Sequence, residues 1–138
     1  MLKLSQKWDD ALNAICYIAE HHPKIVQIRD IAQHHKLHEW CLRLIIHDLA
    51  KGGIVITKQG RNWGIFLAKK IHTISLYDVF FAIHEELAIV DCTRGLNCEK
   101  QQYCYNSRVL WNLEKVVHSL LKMQTLDKII KNDSKDVQ

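Results

Sequence analysis

Three cysteines, Cys92, Cys98 and Cys104, stand in one stretch without helical or strand periodicity, with five residues between neighbours. The stretch reads Cys-Thr-Arg-Gly-Leu-Asn-Cys-Glu-Lys-Gln-Gln-Tyr-Cys. Thiolates are soft donors, suited to zinc or to iron–sulfur clusters. Zinc knuckles usually bring cysteines in pairs roughly two to four residues apart. The wider loops here fit better around a bulky cluster. Arg94, Lys100 and the N-terminus of the helix that follows would offset the charge of an anionic group. The stretch holds no fourth ligand, because no histidine lies between His84 and His118. Cys16 and Cys41 fall within helical patterns and read as small core residues. A fourth ligand comes from elsewhere in the chain, from a partner subunit, or from solvent.

The second chemical signal is charge. Between Lys24 and His72, nine basic residues face three acids, a balance of +6 in a chain whose net charge is +4. A basic middle segment on a small domain is the electrostatic footprint of a nucleic-acid binder.

The elements that must position these groups follow from periodicity. Trp8, Ala11, Leu12, Ile15, Ile18 and Ala19 mark one helix face over about 5–21, and Pro23 blocks its continuation. Ile28, Ile31 and Ala32 mark a short second helix over about 27–35. A third runs from about 38 to 51, with Leu42, Ile45, Ile46 and Leu49 inward and Gly52-Gly53 at its end. Ile54 to Thr57 and Gly64 to Ala68 read as two strands of a hairpin with a basic tip. Three short helices followed by a hairpin is the pattern of a winged helix-turn-helix. Ser75 caps a fourth helix carrying Leu76, Val79, Phe80 and Ile83. A long helix over about 106–123 carries Leu110, Leu113, Val117 and Leu120, widened by Val109, Val116 and Met123. One side of it can pack on its own domain while the other meets a second copy.

The fold class expected is therefore mainly α with a small β-hairpin wing, a winged helix-turn-helix plus a long dimerisation helix. Residues 1–72 form the DNA-binding region, 73–105 the linking helix and cysteine-rich loop, 106–131 the dimerisation helix and C-terminal segment, and 132–138 a disordered tail. The chain has 138 residues, enough for one compact domain. The N-terminal residues lack the apolar stretch of a secretory signal, and no run is long enough to span a membrane. A cytoplasmic location without membrane association is expected. Five cysteines, an odd number, in such a chain do not suggest a disulfide framework.

An ordered set of short segments resembles the Rrf-two family of bacterial winged-helix regulators, which includes the IscR and NsrR types. The segments are Lys3-Leu4-Ser5 with Ala11-Leu12, Ile28 to Ala32, Leu49 to Val55, Ile74 to Val79, Leu87 to Cys92, Leu110-Trp111 and Thr125-Leu126. The resemblance spans nearly the whole chain, from Leu4 to Ile130. It implies a homodimer on palindromic double-stranded DNA and an iron–sulfur cluster near the dimer helices, [4Fe–4S] in preference to [2Fe–2S]. Two departures stand out. The family wing usually carries three glycines and a later proline, where this chain has Gly60-Arg61-Asn62-Trp63-Gly64 and Lys69-Lys70. IscR-type members place a histidine ligand just after the third cysteine, where Ser107 stands here. NsrR-type members instead use an N-terminal aspartate that ligates the cluster of the other subunit, and Asp9 falls at that position. By this resemblance the ligands are Cys92, Cys98 and Cys104, with Asp9 acting in trans.

The third helix is expected to enter the major groove with His38, Glu39, Trp40, Arg43 and His47 exposed. Arg43 is the choice for a guanine contact, with Lys58 and Arg61 on phosphates or in the minor groove. Trp63 is either a wing-tip contact or a buried prop for the hairpin. The function expected is a transcriptional regulator, a repressor, whose operator affinity is controlled by a cluster sensing nitric oxide. The alternatives are sensing of iron or cluster supply, and a cluster-free thiol-redox regulator. No acid, base and nucleophile gather in one place, so no catalysis is expected.

Overall fold

A computed structural model of the chain describes residues 4–60, 64–85, 88 and 98–132. Six α-helices, two short 3-10 turns and one hairpin occur among them. Helix α1 spans Gln6–His21, α2 Ile28–His35 and α3 Glu39–Lys51. Strands β1 (Val55–Lys58) and β2 (Gly64–Leu67) pair antiparallel, Val55 opposite Leu67 and Lys58 opposite Gly64. Helices α4 (Leu76–Ala82), α5 (Tyr105–Met123) and α6 (Leu126–Asn132) complete the set. The sequence pattern predicted the first five helices and the hairpin within a residue or two. Helix α6 was not predicted. Asn132 ends it, and residues 133–138 lie outside the described residues.

Local chemistry explains the boundaries. The Ser5 hydroxyl accepts from the Trp8 amide and caps α1. Ser75 and Asp78 form a reciprocal capping box at α4, each side chain bonded to the other's backbone N–H at 3.0–3.2 Å. Lys36 adopts a left-handed conformation (φ 55°), turning the chain between α2 and α3. Gly53 does the same after α3 (φ 75°), where a side chain would be strained. Gly64 starts β2 against Ile25, and an added Cβ would lie 1.9 Å from the Ile25 Cγ2. The wing is thereby seated on a third extended segment. Val26 and Ile65 exchange backbone hydrogen bonds at 2.9 and 2.7 Å.

The core lies between α1, α3, the wing and α4. Ala11, Ile15, Ile18, Ile31, Leu42, Leu49, Ile65 and Val79 are fully buried there. Trp8 stacks on Phe80 with ring centroids 3.5 Å apart, locking α1 onto α4. Leu126, at the start of α6, is fully buried and closes the core from the C-terminal side. The corner between α5 and α6 is stitched to the start of α4. The Leu76 amide donates to the Gln124 carbonyl (2.8 Å), and the Leu126 amide to the Ile74 carbonyl (3.0 Å). These bonds fix the long helix α5 relative to the winged helix.

Candidate nucleic-acid interface and cysteine centre

Helix α3 buries Leu42, Ile45, Ile46 and Leu49. At 3.6 residues per turn, the line farthest from that face passes through Trp40, Leu44, His47 and Lys51, all exposed. His38, the residue that precedes the helix, and Glu39 and Arg43 are exposed as well. Every α3 residue expected at the DNA thus stands on the surface. Arg43 lies on the flank toward the wing. It lines a cleft of about 230 Å³ with Ile28, His47, Thr57 and Gln59, and its guanidinium is 4.0 Å from the Glu39 carboxylate. Lys58 is exposed at the end of β1. Arg61 and Trp63 lie outside the described residues. Leu44 and Lys51 share this exposed line but are not among the residues expected there, although the helical period that identifies the buried face also places them opposite it.

The other flank of α3 faces α1. Cys41, expected in the core, is exposed there and lines an apolar groove of about 500 Å³ with Lys7, Leu44, Ile45 and Asp48. The physical reason is angular. Cys41 lies about 100° from Leu42, outside the arc that the core covers. Cys16 is half-buried against the core, as expected.

Across this end of the molecule, Lys7 ties three elements together. Its Nζ donates to Asp48 Oδ2 on α3 (3.1 Å) and to the carbonyl of Ile83 just past α4 (2.8 Å). These partners are 41 and 76 residues away in sequence, so periodicity gave no sign of them.

Of the three grouped cysteines, Cys92 lies outside the described residues. Cys98 is an exposed free thiol, and Cys104 is a half-buried one at the N-cap of α5. Cys104 opens onto a cavity of about 450 Å³ lined by Gln102, Tyr103, Tyr105 and Arg108. Two free thiols, a helix N-terminus and an arginine suit an anionic, thiolate-bound group in their chemistry. Ser107 is buried and donates from Oγ to the Cys104 carbonyl (2.9 Å), so its hydroxyl is engaged with backbone. Asp9 is exposed in the first turn of α1. Among the described residues, no three His, Cys, Asp or Glu side chains gather as a metal site within one chain.

Helix α5 divides its apolar residues between two faces. Leu110, Val117 and Leu121 are half-buried against the chain's own body. Val109, Leu113, Val116, Leu120 and Met123 are 49–61% exposed and step by four, three, four and three. That is the spacing of a helix–helix seam. Among the described residues, no helix is long and apolar enough to cross a membrane.

The family profile described as "Iron-dependent Transcriptional regulator", Rrf2, matches residues 4–132. The HTH-type transcriptional regulator NsrR of Bacillus licheniformis is 29% identical over 134 residues, covering 95% of this chain and 94% of that protein. The solved structure of CymR (YrzC), titled the global cysteine regulator of B. subtilis, superposes with a TM-score of 0.79 at 23% identity, covering 96% of this chain and 98% of that one. The structure titled T. potens IscR superposes at 0.76, also at 23% identity, covering 99% and 93%. At those identities the two structures speak for the winged-helix fold. The profile, covering nearly the whole chain, places it: this protein belongs to the Rrf2 family of DNA-binding transcriptional regulators and is not an enzyme.

Proposed function

We propose that the protein is a cytoplasmic homodimeric repressor on palindromic DNA, with operator affinity set by an iron–sulfur cluster that senses nitric oxide. The observation that carries this reading is the position of the thiols. Cys104 stands at the N-cap position of α5, the helix that bears the exposed apolar seam. A group held by Cys92, Cys98 and Cys104 would therefore stand beside the interface between two copies. Asp9 projects from the surface of α1, as a ligand reaching across to another subunit must. The engaged hydroxyl of Ser107 supports a fourth ligand from outside this segment.

The cluster would supply an iron centre open to attack by nitric oxide. The chain's own part is to couple that site to DNA. Asp9 shares the first turns of α1 with Lys7, which holds α3 through Asp48 and the end of α4 through Ile83. A shift of α1 would thus be felt by the helix that enters the major groove. The change in DNA affinity equals the difference in how each state of the site favours the binding-competent arrangement.

Iron and sulfide assays on anaerobically purified single cysteine-to-alanine variants test the site. Cys92→Ala, Cys98→Ala and Cys104→Ala should each lose the chromophore, while Cys16→Ala and Cys41→Ala keep it. Full cluster content in Cys98→Ala would overturn the assignment. A protein that never carries iron and sulfide would favour a thiol-redox regulator.

A further inference from the structure

We infer that Leu44, flanked by Trp40, is a specificity-determining residue that reads thymine through its C5-methyl group in the major groove. The inference rests on α3 being the DNA-reading helix. Leu44 is 52% exposed and Trp40 is 71% exposed, one turn apart on the outermost line of α3. Residues four apart on a helix are neighbours, so the two make one apolar strip. Lys51 continues the same line and Arg43 flanks it, while the two acids nearest the strip are each matched by a cation, Glu39 by Arg43 and Asp48 by Lys7. Arg29 on α2, Lys36 just past it and Lys58 on β1 are exposed and add positive charge to the same DNA-binding region.

That rim suits a polyanion, and it disfavours an apolar protein partner, whose binding would bury charges beside it. Within DNA, phosphates and most base edges offer a leucine nothing. The thymine methyl is the one apolar group that the base edges display in the major groove. Removing about one methylene's worth of apolar burial changes affinity about fourfold. The effect is thus measurable at one position without abolishing binding.

The probe is a duplex selected by the protein from a random pool, with each thymine then replaced singly by uracil. Uracil keeps the pairing and every hydrogen-bonding group and lacks only the methyl. Binding of the wild-type protein should fall about three- to tenfold at one or two positions per half-site. Leu44→Ala should bind the thymine duplex more weakly by a similar factor and no longer distinguish uracil there. Trp40→Ala should reduce the discrimination in part. Equal binding of thymine and uracil duplexes by the wild type, or full discrimination by Leu44→Ala, would overturn the inference while leaving DNA recognition by α3 standing. Failure to select any sequence would instead remove the reading on which it rests. Circular dichroism of the variants checks folding, which the exposure of both side chains should leave unchanged.

Discussion

Lys7 and Asp48 form an ion pair between α1 and α3, with Nζ 3.1 Å from Oδ2 and a second bond from the same amine to the Ile83 carbonyl. The pair is partly exposed, 41% at the lysine and 20% at the aspartate. Solvent screening therefore keeps its contribution to stability modest, about 1 kcal/mol or less. Its weight lies in geometry, since one side chain bonds to both α3 and the end of α4, beside the core packing that holds these elements together.

Lys7→Met should accordingly lower thermal stability only slightly. It should weaken the dependence of DNA affinity on the state of the cysteine site more than it weakens DNA binding itself. Fluorescence anisotropy with the holo and cluster-free proteins checks this. An unchanged ratio between the two affinities would show that Lys7 carries no coupling.

The exposed seam of α5 predicts dimerisation through that helix. Leu113→Glu and Val116→Glu each place a charge where apolar side chains would meet, a costly burial without a partner. Sedimentation velocity should show a dimer for the wild type and a monomer for the double variant. Helix content should stay the same, because neither residue packs on the chain's own core. A dimeric double variant would move the interface elsewhere.

Much of this arrangement was legible in the sequence. Trp8, Ala11, Ile15 and Ile18 repeat at helical spacing, Gly52-Gly53 ends α3, and Ser75 announces α4 by its cap. What stayed hidden depends on long-range contact. Leu126 sits in a seven-residue helix too short to show a period, yet it plugs the core. The Val26–Ile65 bridge joins two segments with no common pattern. Cys41 was misplaced because membership of a helix says nothing about which face a residue takes, and the apolar repeat of α3 already excluded it from the core. The grouping of Cys92, Cys98 and Cys104 stands in the sequence itself and carries the proposal of a metal site. Its fourth ligand was suggested only by family resemblance, since the nearest soft donors in sequence are absent.

A pH effect follows from the end of α2. His35 lies with its ring 4.7 Å from that of His34 and 5.9 Å from that of Tyr17, which also stacks on His21. Burial, and then the neighbouring His34, hold its pKa below the usual 6.5, with Glu20 opposing. The unfolded chain therefore binds a proton more readily than the native one. The stabilisation is fully present above pH 6.5 and is lost as pH falls through the native value. Thermal melts between about pH 7.5 and pH 5.5 should show the decline, and His35→Gln should flatten it. An equal decline in the variant would assign the effect to other groups.

A mixed dimer isolates the proposed action of Asp9 across the interface. One chain carries Asp9→Ala with its cysteines intact, and the other keeps Asp9 but lacks Cys92, Cys98 and Cys104. Their heterodimer has one site with three thiolates and a native carboxylate opposite. A carboxylate is a harder donor than a thiolate and should hold iron less firmly. Its loss should speed cluster decay rather than prevent assembly. The cluster should last longer in the heterodimer than in the Asp9→Ala homodimer. Equal lability would place Asp9 outside the ligand set.

The most direct measurement is operator affinity during a titration with nitric oxide. Anaerobic protein, loaded with iron and sulfide, is bound to the selected duplex and followed by fluorescence anisotropy while its absorption spectrum is recorded. Binding should be tight at the start and release should keep step with bleaching of the chromophore, with Cys98→Ala unresponsive throughout. Affinity that stays constant while the chromophore bleaches, or a response that persists in Cys98→Ala, would contradict it.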